Sequence, residues 1–153
     1  MREVNARGLE IIQRFEGLRL QAYLCPAGKW TIGIGHVQGV TEGLTITEAQ
    51  AFTLLAQDLQ QVCLDVAELV KVYVSDDEFS ALVSFAFNVG TDALRRSTLL
   101  RLLNRGQHKA AAEEFPKWCK VRKPVTGHLV EVPGLKRRRL AEQALFLRKT
   151  TPA

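Results

Sequence analysis

Hydrophobic positions along the chain follow a helical period first, a strand period next, and a helical period again to the end. Leu9, Ile11, Ile12 and Phe15 give the first segment an apolar side behind Asn5, a good N-cap, and predict a helix from after Asn5 to about Arg14. Residues 17–43 hold 6 of the 11 glycines, and Trp30-Thr31-Ile32-Gly33-Ile34-Gly35-His36 alternates bulky and small residues. That period predicts a small antiparallel sheet, with turns at Pro26-Ala27-Gly28 and near Gly39 and glycines where a backbone or ligand comes close. After Thr45 the reading is helical throughout. Thr47 with Gln50 forms a capping box ahead of the stripe Phe52, Leu55, Leu59, Val62 and Val66, and Ser75 with Glu78 opens a helix that stops at Gly90. Ser97 opens another helix, closing near Gly106. His108 to Phe115 is read as a helix ended by Pro116, residues 120–133 as a basic, proline-containing loop, and Gly134 to Leu147 as the last helix. A sheet-bearing segment (approximately 15–45) followed by helices (46–153) is an α+β layout in one domain, with a cleft expected between the two parts.

Composition narrows the class. A chain of 153 residues, 46% hydrophobic and 24% charged, is ordinary globular material, large enough to fold without a metal or disulfide staple. The longest apolar run, near Ala81 to Phe87, is far short of a bilayer span, so no membrane insertion is expected. The opening Met1-Arg2-Glu3-Val4-Asn5 carries charge without an apolar core, and the expectation is synthesis in the cytoplasm without a signal peptide. Cys25, Cys63 and Cys119 are odd in number, widely spaced and remote in sequence from His36, His108 and His128. Neither a disulfide framework nor a zinc site is expected, and no cofactor.

The net charge of +5 hides an asymmetry. Residues 1–94 carry 6 Lys/Arg against 12 Asp/Glu, and residues 95–153 carry 15 against 4. The basic half suits a polyanionic partner or is simply a solvated face. A nucleic-acid module is disfavoured, because no helix-turn-helix pairing is recognisable and aromatics make up only 7%. GxSxG, HExxH and Walker motifs are absent, and Gly33-Ile34-Gly35 does not extend to GxGxxG because residue 38 is Gln. Glu16 is the first candidate for chemistry. Beside Phe15 at a helix-to-sheet junction it is either a partly buried carboxyl, which burial turns into a proton donor near neutral pH, or an exposed glutamate that ends a helix. Lys136-Arg137-Arg138-Arg139 cannot all share one helical face, so at least one turns inward or toward the cleft.

The order Phe15-Glu16-Gly17-Leu18-Arg19, Tyr23-Leu24-Cys25, Trp30-Thr31-Ile32-Gly33-Ile34-Gly35-His36 resembles the active-site segment of phage-type lysozymes (endolysins), glycoside hydrolase family 24. Three later segments match in order. Ser84-Phe85-Ala86-Phe87-Asn88-Val89-Gly90 is similar to the family's FNxG helix end, and Ser97-Thr98-Leu99-Leu100 and Gly134-Leu135 with Arg138, Arg139 and Glu142 follow. The resemblance implies a lysozyme-like α+β fold, with a small antiparallel β lobe and a larger helical lobe around a cleft. It implies a monomer acting on peptidoglycan glycan strands, released through a holin. The bond cut would be the β-1,4 link between N-acetylmuramic acid and N-acetylglucosamine. Glu16 would protonate the leaving oxygen, while Cys25, where other members carry Asp, and Thr31 would handle the attacking water with inversion. Inverting enzymes separate acid and base by roughly 6.5–9.5 Å. Val37, Phe87 and Ser97 fall where relatives line the sugar cleft, His36 ends the family's GxGH, and one cation of residues 136–139 would pair with an acidic residue near the site.

Cys25 leaves three roles open. It can be a thiolate base, a nucleophile that would give retention instead of inversion, or a residue that shapes the pocket while Glu16 and Thr31 react. As a thiol at the site it also carries an oxidation liability. His36 is either a partner for a carboxylate or a satisfied structural histidine. Cys63 reads as a small core residue. A catalytically inert wall-binding domain is the remaining alternative to an enzyme.

Overall fold

The computed structural model describes residues 1–123 and 125–149. The first helix, α1 (Ala6–Glu16), starts where Asn5 accepts a hydrogen bond from the Gly8 amide at 3.0 Å and stops at Gly17, whose φ of 70° is open to glycine. It runs two residues beyond the expected end, so Glu16 is its last residue. Strands β1 (Arg19–Leu24) and β2 (Trp30–Gly33) pair antiparallel, Tyr23 opposite Thr31 and Leu24 opposite Trp30, with an irregularity between Arg19 and Tyr23. The expected small sheet is therefore present, and the Cys25–Lys29 turn closes it.

Helix α2 (Glu48–Leu69) has 22 residues and a complete Thr47–Gln50 capping box, which makes it about 33 Å long. Helix α3 (Asp76–Val89) carries the second complete capping box and is the centre of the molecule. Residues Asp77 and Phe79 through Ala86 are all buried, and α1, α2 and α7 pack around them. A helix apolar on all sides belongs in the middle of a core, and its N-terminal cap and C-terminal glycine bound the buried run. Helices α4 (Thr91–Arg95), α5 (Thr98–Asn104) and α6 (His108–Ala112) follow, then a 3-10 turn at Phe115–Lys117. The final helix is α7 (Pro133–Leu147). Phe85, Phe115 and Trp118 interlock edge to face, with ring centres 5.3 and 5.5 Å apart.

Two expectations are corrected, and one element is added. Within the stretch read as a loop, β3 (Lys120–Arg122) and β4 (Leu129–Glu131) pair antiparallel with Val121 opposite Val130. Each strand has three residues and one inward valine, too short for a period to register. The helix read from His108 to Phe115 ends at Ala112, because Pro116 lacks the amide an α-helix needs but fits the first turn of a 3-10 helix. Helix α4 is only five residues long and escaped pattern reading for the same reason as the hairpin. No helix among the described residues is long and apolar enough to cross a membrane.

Candidate active site

The end of α1 delivers Glu16 to the junction of the sheet with α3 and α7. Its side chain is 16% exposed, so the exposed helix-ending alternative does not hold. The surroundings are not simply apolar either: Arg138 Nη1 donates to Glu16 Oε2 at 3.0 Å from a fully buried guanidinium. Among the described residues Oε1 has no hydrogen-bond partner, which leaves it free to meet a ligand. Gly35 closes the other side. With φ at +72°, a Cβ there would stand 2.8 Å from Glu16 Cδ and Oε2 and 2.9 Å from Phe87 Cε1. The glycine in the Gly33-Ile34-Gly35-His36 run is thus required by close approach of the backbone to the carboxyl.

Cys25 and Thr31 meet at one acceptor. The Cys25 amide donates to the Lys29 carbonyl at 2.9 Å, and the Thr31 hydroxyl donates to the same oxygen at 3.0 Å. The hairpin end therefore sets thiol and hydroxyl relative to each other, with Thr31 buried and Cys25 partly exposed and unbridged. Tyr23, two residues before Cys25, is pushed above the usual phenol range by burial first and then by the nearby Glu16 carboxyl, with Arg19 opposing and Cys25 adding. Arg19 lies 4.7 Å over the Tyr23 ring. Tyr23 was not among the sequence candidates, although it pairs with Thr31 and lies within electrostatic reach of both Glu16 and Cys25.

A cavity of about 300 Å³ is lined by Val37, Phe87, His36, Asp58 and Gly35 among others; Gly35 and Phe87 connect it to Glu16, while Glu16, Cys25 and Thr31 are not in its lining. Val37 and Phe87 thus line the same cavity. His36 is a satisfied partner of a carboxylate, with Nδ1 2.7 Å from Asp58 Oδ2 and Nε2 2.8 Å from the Gln38 carbonyl. Both alternatives for His36 hold at once, and Asp58 on α2, missed in the sequence, is the anion. Ser97 caps a helix. It is buried, its Oγ accepts from the Leu100 amide at 3.0 Å and donates to the Leu94 carbonyl at 2.7 Å, and it does not line the cavity. Its hydroxyl is used by the N-cap of α5, which the serine-before-helix pattern already indicated. A second hollow, between α1 and α7 at Ala6, Glu10, Arg14 and Ala144, contains none of the candidate residues.

Two cations of the 136–139 run turn inward. Arg138 and Arg139 are both buried, with Glu142 fully buried against them. Among the described residues no group of His, Cys, Asp and Glu is arranged to hold a metal ion.

Comparison with known proteins is consistent across sequence and structure. The family model described as phage lysozyme matches residues 13–142. An endolysin of Acyrthosiphon pisum secondary endosymbiont phage 1 is 43% identical over 94% of this chain and 97% of its own length. The endolysin of Salmonella phage P22 is 38% identical over 96% of this chain and 99% of its own. An endolysin of Bacillus phage PZA is 44% identical, with the match spanning only 55% of that longer protein. Among solved structures, the muramidase domain of SpmX from Asticaccaulis excentricus superimposes with a TM-score of 0.84 at 37% identity, over 97% of this chain and 100% of that one. An endolysin from Escherichia coli O157:H7 phage FAHEc1 reaches 0.83 at 37%, over 99% and 97%.

Proposed function

The chain belongs to the phage lysozyme family and hydrolyses peptidoglycan in host lysis, and from that premise we propose that Glu16 is the acid that protonates the leaving glycosidic oxygen. The bond is the β-1,4 link between N-acetylmuramic acid and N-acetylglucosamine. The observation that carries this reading is the Glu16 carboxyl itself: one oxygen is held by Arg138, the other is free, and Gly35 removes the side chain that would otherwise fill the space beside it. Cys25 and Thr31 bind and activate the attacking water on the opposite face of the sugar, and the product anomer is inverted. Their common anchor on the Lys29 carbonyl supports a joint role. Val37 and Phe87 contact the sugar rings, and His36 holds the rim through Asp58.

Replacement of Glu16 by Gln tests the reading, because amide and carboxyl are nearly isosteric but only one delivers a proton. The expected result is loss of muralytic activity with unchanged folding, and wild-type product anomers read by NMR should show inversion. Retained activity overturns the role of Glu16. For Cys25, Asp in its place should preserve activity and Ala should abolish it. A glycosyl-cysteine adduct in the mass spectrum of the intact protein would replace the base role by a nucleophilic one with retention. The protein acts as a monomeric single unit over residues 1–153 and reaches the wall through a holin pore. One relative, at 34% identity, is a SAR-endolysin of Escherichia phage P1, so release is best tested directly by lysis with and without a co-expressed pore.

A further inference from the structure

Glu142 is buried on α7 with no exposure at all, four residues after Arg138 and three after Arg139. A buried ion cluster is not by itself a stabilising device, since apolar residues of similar volume usually serve at least as well. Its geometry points to the site. Glu142 Oε2 accepts from Ser84 Oγ at 2.5 Å, Arg138 Nε at 3.1 Å and Arg139 Nη2 at 3.2 Å. Arg138 spends its remaining nitrogens on Glu16 Oε2 at 3.0 Å and on the Ser84 carbonyl at 3.1 Å. One guanidinium therefore bridges two carboxylates, the partly exposed Glu16 and the fully buried Glu142. Arg139 Nε stands 2.8 Å from Glu142 Oε1, in ion-pair contact but off the line of a hydrogen bond, and Arg139 Nη1 has no partner among the described residues. Burial, opposed by Glu142, lowers the Arg139 pKa to about 10.

The charge count matters because the reaction begins with a proton on Glu16. In that state two buried guanidinium groups face a single carboxylate, Glu142. Other groups around Glu16 do not share this duty. From the sheet comes Tyr23, which feels the Glu16 carboxyl and carries Arg19 over its ring. From α3 come Phe87 and Ser84, while its acidic residues Asp76, Asp77 and Glu78 all lie in its first turn. From α2, Asp58 is taken by His36. Among the described residues, the only anions in contact with Arg138 are Glu16 and Glu142.

We propose that Glu142 is a positioning residue for the reaction, acting through Arg138: it fixes the guanidinium that presents Glu16 and offsets its charge, so that the acid retains its proton until the glycosidic oxygen takes it. Ser84 locks the Glu142 carboxylate in place. This inference rests on the reading of Glu16 as the acid.

The test is the alkaline limb of the kcat/KM profile on solubilised peptidoglycan, where the acid form of the free enzyme is lost. Glu142→Gln removes the offsetting charge, and the limb moves to lower pH by about half a unit or more. Arg139→Gln removes the competing cation, and the limb moves to higher pH. In both variants KM changes little, because neither residue touches the sugar, and folding is checked by circular dichroism at each pH. Loss of packing alone would not produce shifts of opposite sign. If Glu142→Gln fails to fold, Arg139→Gln carries the test alone. Limbs that coincide with wild type, or that move in the same direction, overturn the proposal. If Glu16→Gln is inactive and the limbs do not move, only this inference fails. If Glu16→Gln is fully active, the underlying reading fails.

Discussion

Replacing Gly35 by alanine separates two costs that the structure attributes to one position. The backbone cost comes from φ at +72°, a region that an L-residue with a Cβ enters at about 1–2 kcal/mol. The contact cost comes from the new Cβ, which would lie 2.8 Å from Glu16 Cδ and Oε2 and 2.9 Å from Phe87 Cε1. Oε2 is the oxygen held by Arg138, so the carboxyl cannot yield without breaking a buried ion pair. Gly39 supplies the control: its φ is +73°, nearly the same, but nothing lies within 4 Å of a Cβ built there. Gly39→Ala should therefore lose about 1 kcal/mol and a few degrees of Tm for a chain of this size, with activity retained. Gly35→Ala should lose at least about 1 kcal/mol more, and kcat should fall about 100-fold, the penalty expected when a reacting group moves by about 1 Å. Urea unfolding monitored by circular dichroism gives the two stabilities, and turbidity loss of wall suspensions gives the rates. Equal stability and equal activity in the two variants would refute the argument that the backbone at residue 35 is pressed against the acid.

Asp77 predicts acid sensitivity. Burial alone would raise its pKa, but hydrogen bonds from Arg148 and Asn5, each 2.9 Å, and the nearby Arg7 more than offset this and hold it below the usual value of 3.8. A lowered folded pKa means that the contribution is fully present above the unfolded value and is lost as pH falls through the folded one. The stability gap between wild type and Asp77→Asn, measured by urea unfolding, should be constant from pH 7 to 5 and shrink below about pH 4; a gap that does not shrink on acidification contradicts this. Phe85→Ala should cost about 3–5 kcal/mol, because the ring is fully buried against Phe115 and Trp118 and 5.0 Å from the Arg139 guanidinium, and a calorimetric loss below 1 kcal/mol would contradict the packing. A mild oxidant should modify the partly exposed Cys25 before the buried Cys63 and Cys119, and lysis rate should fall in step with modification at residue 25 as mapped by peptide mass spectrometry.

Features that depend on neighbouring residues were legible in the chain. Asn5, Thr47 with Gln50, Ser75 with Glu78, and Ser97 all cap the helices they precede, because a cap is settled within three residues. The alternation from Trp30 to Gly33 gave the strand, and the ordered motif identified Glu16, Cys25 and Thr31 as a group. The Arg138 partnership was visible only in outline: four consecutive cations on one helix must diverge, and the family resemblance implied that one pairs with an acidic residue near the site, but not which one. Ser97 shows the opposite limit, since the same hydroxyl that suits a sugar also suits an N-cap, and in the fold it caps α5.

By itself, then, the sequence determined where helices begin and where glycine lets the chain turn, since each of these is a local matter of hydrogen bonds and sterics; the segment proposed for the chemistry was legible only through its resemblance to phage-type lysozymes. Tertiary structure alone decided the partners of Glu16. Glu16 and Arg138 are 122 residues apart, and Glu142 and Ser84, 58 apart, meet only because α3 and α7 pack together. The reason is physical: a buried charge takes whichever opposite charge the packing brings to it, and no local pattern records that encounter.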